Sequence, residues 1–376
     1  MYRVRVESAA SESIARYQEW LGPGAQARVV ITDRASRDGV PFTSARVALD
    51  LPWRSAPPSM DVESQVAYGV ARAWWPEWMM TGELAPLADG LAWYLQSRVI
   101  ERLFDFTFHV PGHSADGVRF FGGAIPWAFP SITSGRWTAG LGRSEFLRGS
   151  HVGRWPQPAP RRPPGFDAAT AQGALAFGTL ERLLGWPALE STLRALAIRA
   201  SAGPMTRAQV EQTVSAAAGQ PLSWFFAEAF DSQRRFDYAV TAVSSTAAPT
   251  PCPNEPCYRT EATIVRRGTA VFPGTDRSPV GAYEAGDALE LRVTFADAQT
   301  TSARWDGRHE SKTFAFDSLA PAVLVELDPA SILLSDRNAI DNTWTARTTT
   351  NVPVQKWVAW WLIWLQNAAL SYTALI

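Results

Sequence analysis

Cysteine is nearly absent from this chain. Two occur in 376 residues, Cys252 and Cys257, inside C-P-N-E-P-C. A zinc ribbon needs a second pair, so that class is excluded. Two prolines between the thiols oppose a redox helix of the C-x-x-C type. A local disulfide is the economical reading and implies an oxidising compartment; two free thiols are the rival reading. Net charge is also lacking. At −1 it gives no general attraction to nucleic acid. The opening Met1-Tyr2-Arg3-Val4-Arg5-Val6-Glu7 has no apolar run, so no signal peptide is expected in this chain. A G-x-S-x-G elbow, a P-loop and a dinucleotide fingerprint are missing. Gly142-Arg143-Ser144-Glu145 lacks the second glycine of the elbow.

What is present is a large apolar content. Hydrophobic residues make up 46% of a chain long enough for two or three domains. Seventeen tryptophans imply core packing for most of them, with aromatic subsites or a membrane-facing belt as the other use. The organising stretch is Met60 to Ser97. Val62, Val66, Val70 and Ala73 recur every three to four residues and predict one buried helix face. Tyr68, Arg72 and Trp75 share another face at i, i+4 and i+7. Pro76 ends that helix, and a second apolar run follows from Leu87 to Leu95.

This layout resembles the alanyl aminopeptidase family of zinc metallopeptidases, the thermolysin-like gluzincins. That family carries H-E-x-x-H and an aromatic pair on one helix, then N-E-G-x-A and Y-L on the next. Here the second signature reads Ala88-Asp89-Gly90-Leu91-Ala92-Trp93-Tyr94-Leu95, and the aromatic pair is Trp74-Trp75. The metal motif is replaced. Tyr68, Gly69 and Arg72 stand where the family has His, Glu and His, and Asp89 stands for the third ligand, two residues closer than usual. Zinc needs imidazole, thiolate or carboxylate donors. Neutral Tyr is a poor donor, Arg is a permanent cation, and Gly69 offers no base to activate water. The family's amine-holding Glu strand corresponds to Ser44-Ala45-Arg46-Val47-Ala48-Leu49, which has no Glu. By register, its oxyanion-stabilising Tyr falls on Thr170, and the Lys after it on Gln172. The resemblance runs from Tyr17 to Val240. It implies the fold and argues against the reaction.

Elsewhere the patterns are local. Tyr2 to Val6 reads as a strand and Ser11 to Leu21 as a helix stopped by Gly22-Pro23-Gly24. Ala27 to Thr32 and Val47 to Leu51 read as strands. His109 and His113 sit four apart, but Pro111 and Gly112 break any helix that would align them on a metal. His151 to Gly165 is a loop rich in proline and arginine. Helices are expected at Pro187 to Ala200 and Thr206 to Ala218, the latter opened by the capping box Thr206-Arg207-Ala208-Gln209 and closed by Gly219. Beyond residue 258 the period becomes two, with Leu289, Leu291, Val293 and Phe295 in alternation and a Trp305-Asp306-Gly307 turn. From Trp357 to Ile376 there is no charged side chain, and Trp357, Trp360, Trp361 and Trp364 crowd its first half. As a helix that run is about 30 Å long, which suits a bilayer core or its interface; a helix docked on the protein is the alternative.

The expected class is α+β. A thermolysin-like, mostly helical domain covers 1–243, a linker 244–257, an Ig-like β-sandwich 258–346, and a hydrophobic helix 352–376. The expected function is an inactive aminopeptidase-like binding or scaffold module, with no metal and no catalytic residue. Tyr68, Gly69, Arg72, Asp89 and Thr170 are its degenerate positions. Expected partners are a peptide or protein ligand and a membrane surface reached through 354–376, in a membrane-associated or extracytoplasmic location. Two alternatives stand beside it. One is an active zinc aminopeptidase with rearranged ligands, Asp89 and Glu83 with a histidine. The other is a structural, membrane-tethered domain. A further expectation is an ion pair between Arg72 and Asp89.

Overall fold

The amino terminus forms a helix where alternation predicts a strand. In the computed structural model α1 runs unbroken over Tyr2–Leu21. Five alternating residues cannot tell the two periods apart, and here the long-range contacts decide. Arg5 forms two hydrogen bonds to Glu63, at 2.7 and 2.6 Å, and Ala9, Ser13 and Tyr17 continue the same face at four-residue steps, all buried. The structure describes residues 2–23, 30–33, 46–49, 61–104, 168–230, 234–247, 257–273, 289–330, 332–337 and 341–346. The chain divides into two compact units, Met1–Glu181 with Trp186–Ser223 and Pro353–Ile376, and Arg182–Gly185 with Trp224–Val352.

In the first unit α1 is followed by β1 (Val30–Asp33) and β2 (Arg46–Leu49), a parallel pair that overlaps the predicted strands Ala27 to Thr32 and Val47 to Leu51 and is displaced from each by a residue or more. Next come α2 (Asp61–Trp74), 3₁₀ turns over Glu77–Met80 and Gly82–Leu84, and α3 (Ala85–Phe104). Its other helices among the described residues are α4 (Ala168–Leu184, whose last three residues group with the second unit), α5 (Trp186–Ser201) and α6 (Arg207–Ala218). Sequence periodicity gives α2 one apolar face, but it is buried nearly all round. Val66 to Ala71 and Ala73 to Trp75 are inaccessible because the helix packs on α1, α3 and β2. Tyr17 donates a 3.0 Å hydrogen bond to the Ala67 carbonyl and meets Trp74 edge-on, fixing α1 across α2. The α6 capping box forms as expected, with Gln209 and Thr206 exchanging bonds and Gly219 closing the helix at φ 68°.

Gly90 of α3 and Gly173 of α4 mark the point where those helices touch. A Cβ on Gly90 would lie 2.6 Å from the Gly173 backbone, and one on Gly173 would lie 2.8 Å from the Pro86 carbonyl oxygen. Only glycine permits that approach.

The second unit opens with α7 (Ser223–Ala229), whose Phe225 and Phe226 pack with Phe230. Among the described residues seven strands follow in two antiparallel sheets. The first has order β3-β4-β7, with β3 (Tyr238–Ala247), β4 (Tyr258–Arg266) and β7 (Ser311–Ser318). The second has order β6-β5-β8-β9, with β5 (Leu289–Phe295), β6 (Thr300–Trp305), β8 (Ala322–Leu327) and β9 (Thr343–Thr345). Leu289, Leu291, Val293 and Phe295 are buried, as the alternation predicts. The expected linker at 244–257 begins too early. Ser244 to Ala247 are strand residues, with Ala247 opposite Tyr258, because their backbone groups extend the β3–β4 ladder, to which a linker-like composition is no bar. Residues 248–256 lie outside the described residues. Tyr238 packs edge-on against Trp305, and its hydroxyl accepts a 2.9 Å bond from the Phe272 amide. Gly307 follows at φ 66°, where a Cβ would stand 2.8 Å from that hydroxyl. The Trp-Asp-Gly turn therefore locks the core. Cys257 is buried and disulfide-bonded; the other cysteine, Cys252, lies outside the described residues.

Candidate functional site

The helix α2 presents Tyr68 and Arg72 one turn apart, and α3 presents Asp89 and, one turn on, Trp93. The structure brings them together. Tyr68 donates to Asp89 Oδ1 at 3.3 Å, and Arg72 Nη1 lies 3.4 Å from both the Tyr68 oxygen and Asp89 Oδ1. The Arg72 guanidinium sits 5.8 Å over the Tyr68 ring, which in turn packs at 4.8 Å on Trp93. These polar contacts are at the long end of the hydrogen-bonding range. Tyr68 is buried, while the Arg72 and Asp89 side chains keep 17% and 15% of their surface open. Burial first, and the Asp89 carboxylate second, raise the Tyr68 hydroxyl well above its ordinary pKa. It is a neutral phenol throughout the physiological range.

Arg72 and Asp89 thus form the ion pair expected from their sequence positions. Gly69 is buried in α2, one residue after Tyr68, and adds no donor. Thr170 lies in α4. Glu83 is exposed on the second 3₁₀ turn. His309 is an exposed residue of the second unit; His109, His113 and His151 lie outside the described residues. The local donor set does not suit zinc. One carboxylate, a neutral phenol and a guanidinium supply a single anionic ligand, and the guanidinium already provides the compensating charge. Among the described residues no group of three or more His, Cys, Asp or Glu gathers.

A second polar cluster escaped sequence reading. On α3, Tyr94 donates to Glu181 Oε2 at 2.7 Å, and Arg98, one turn on, pairs with Glu181 Oε1. The Arg98 guanidinium lies 3.3 Å from the Trp186 ring centroid and 5.5 Å from that of Trp20. Both charged side chains are about nine-tenths buried. The available signal was a charged residue at i+4 from Tyr94 on an otherwise apolar helix face.

Comparisons with known proteins add little. No protein-family model and no curated protein matches the chain. Among solved structures, Legionella pneumophila aminopeptidase A in complex with aspartic acid aligns with a TM-score of 0.45 and 13% identity. The alignment covers 83% of this chain and 32% of that one, so this chain spans about a third of its length. A likeness of that size does not assign a family. No helix among the described residues is long and apolar enough to cross a membrane, and 354–376 lies outside them.

Proposed function

We propose that this chain is a non-catalytic binding or scaffold module of aminopeptidase-like ancestry, associated with a membrane surface. One observation carries the non-catalytic part. A guanidinium, that of Arg72, stands 3.4 Å from the one carboxylate, Asp89, that the motif resemblance aligns with a metal ligand. A cation in that position opposes entry of a second cation, and no side chain at Gly69 can act as a base. The Ig-like reading of the second unit is supported by sheet order. A three-stranded β3-β4-β7 sheet beside a four-stranded β6-β5-β8-β9 sheet suits an Ig-like sandwich in which the middle strands change sheets. The ligand class this reading favours is a peptide or protein. The membrane part rests on the uncharged, tryptophan-rich run from Trp357 to Ile376.

The test is zinc content together with hydrolysis of aminoacyl reporter substrates by the full chain. The expected result is no stoichiometric zinc and no chelator-sensitive cleavage. About one zinc per chain with such cleavage establishes the rearranged-ligand enzyme instead. The membrane part is tested separately, by vesicle flotation of the full chain beside a version ending at Asn351. Equal behaviour of the two removes it.

A further inference from the structure

The sheet of order β3-β4-β7 ends on β7, and that edge is open. Its far edge, β3, is blunted by a bulge between Val240 and Ala242, and the Val240 amide donates to the Asp341 carbonyl at 2.9 Å. By contrast β7 pairs with β4 over all eight of its residues, from Ser311 opposite Val265 to Ser318 opposite Tyr258, with no shift of register. The phase of that ladder is fixed by the Arg266 amide, which donates to the Glu310 carbonyl at 2.8 Å. Even-numbered residues of β7 therefore turn their peptide groups to β4, and odd-numbered ones turn theirs outward. The Thr263 and Thr313 hydroxyls, meeting at 2.9 Å across a pair without backbone bonds, agree with that phase. The amides and carbonyls of Ser311, Thr313, Ala315 and Asp317 thus line the edge, and among the described residues none of them is bonded.

The side chains along the edge define what fits it. Phe314 and Phe316 are half-buried, stacked with centroids 6.4 Å apart, and lie on the face where Ala262 and Thr260 opposite them are buried. Lys312 is exposed at one end, its Nζ 4.6 Å from the Phe314 ring centroid. Asp317 is exposed at the other end, and Arg259, opposite it on β4, turns to Glu261 at 3.8 Å. An extended chain laid antiparallel on β7 completes the outward bonds. Its apolar side chains opposite Phe316 and Phe314 extend the buried face, and an acid opposite Lys312 and a base opposite Asp317 match the two charges. A second copy of β7 cannot supply that match. Residues directly opposite in a sheet share a face, whereas Lys312 and Asp317 point to opposite faces, so two-fold self-pairing never sets one against the other.

We infer that the β7 edge binds an extended peptide antiparallel to Ser311–Ser318, of the pattern base, apolar, any, apolar, any, acid. This rests on the reading of the chain as a module that binds a peptide or protein, and it gives that ligand a place and a sequence pattern.

The experiment is fluorescence anisotropy of a labelled peptide, Thr-Arg-Val-Thr-Val-Thr-Glu-Thr, titrated with the full chain. Two altered peptides accompany it, one with Arg and Glu exchanged and one N-methylated at the threonines that fall opposite Ala315 and Thr313. The protein variants are Ala315→Pro and the double variant Lys312→Glu/Asp317→Lys. Proline at 315 removes an outward amide that the ladder with β4 does not use, so the sheet is kept, and thermal melts check the fold. The expected result is that the parent binds the first peptide about tenfold more tightly than either altered one, and that Ala315→Pro loses about tenfold. The double variant is expected to prefer the exchanged peptide. An N-methylated peptide that binds like the first, or a double variant with unchanged preference, overturns the edge as the site and leaves peptide binding intact. A parent that binds none of the peptides overturns the inference, while the non-catalytic reading is decided separately by zinc content and hydrolysis. Dimerisation of the parent that Ala315→Pro abolishes overturns it in favour of a second copy.

Discussion

Of the arginine–carboxylate pairs that join helices of the first unit, the two made by α3 differ in almost every respect. Arg98 and Glu181 are buried to about nine-tenths, both Glu181 oxygens are engaged, and the cation lies against Trp186 and Trp20. Arg72 and Asp89 are more open and meet at 3.4 Å, with Tyr68 and Arg72 both directed at one oxygen, Oδ1. The first pair is a fastening whose desolvation is offset by several simultaneous partners. The second is looser: the charges cancel at 3.4 Å in a more open position. Motif reading drew attention to the weaker pair because motifs mark positions, whereas stability depends on burial and partner count.

The largest effect that tests this contrast is at Arg98. Arg98→Met is expected to cost about 3–5 kcal/mol in denaturant unfolding, because Glu181 is left charged in a dry site. Adding Glu181→Leu should recover much of the loss. A cost equal to that of Arg72→Met would break the contrast.

Next is the helix crossing that sets the distance between α3 and α4. Gly90→Ala forces Cβ to within 2.6 Å of the Gly173 backbone. It is expected to cost about 3 kcal/mol, since backbone cannot move aside as a side chain tip can. The same substitution should lessen the further loss caused by Arg98→Met, because separated helices already weaken the pair. Strict additivity in the double-mutant cycle counts against that coupling.

Arg72→Met is expected to cost about 1–2 kcal/mol, with recovery in Arg72→Met/Asp89→Leu. Equilibrium unfolding of both variants checks it, and a double variant no better than the single shows that the pair is not the source of the loss.

The smallest effect is at Asp237, a carboxylate with no ion-pair partner among the described residues. Burial, and then the nearby Asp341 charge, raise the Asp237 carboxyl above its ordinary pKa, opposed by Arg267 and Arg337. A raised folded pKa means that the folded state binds the proton more tightly. Its contribution is therefore fullest below the unfolded value near 4 and is lost as pH rises through the folded value. Asp237→Asn should flatten the stability profile in that window and leave neutral-pH stability the same or slightly higher. Thermal melts across the acid range measure it, and an unchanged slope sinks the assignment.

Much of the helical unit was legible because its signals are local. The α6 boundaries follow from Thr206, Gln209 and Gly219, and α2 stops before Pro76, all within one turn of the helix ends. The Arg72–Asp89 pair was legible for a related reason: helical spacing on α2 and the motif register on α3 gave the two positions, and charge gave the pairing. The strand expected at Tyr2 to Val6 failed because its alternation is as compatible with a helix whose inward arginine finds Glu63, 58 residues away. The linker expected at Ser244 to Ala247 failed because serine, threonine and alanine carry no signal of the strand that pairs with them.

The sequence by itself determined which chemistry the α2–α3 position can support, since no packing can turn a guanidinium into a metal ligand or give Gly69 a carboxylate. Tertiary structure alone decided what the glycines and buried charges do. Gly90 and Gly173 stand 83 residues apart, as do Arg98 and Glu181, and Gly307 owes its small size to a tyrosine on another sheet. Those constraints are pairwise and distant. They exist only once the chain has folded back on itself and placed each residue within a few ångströms of its partner.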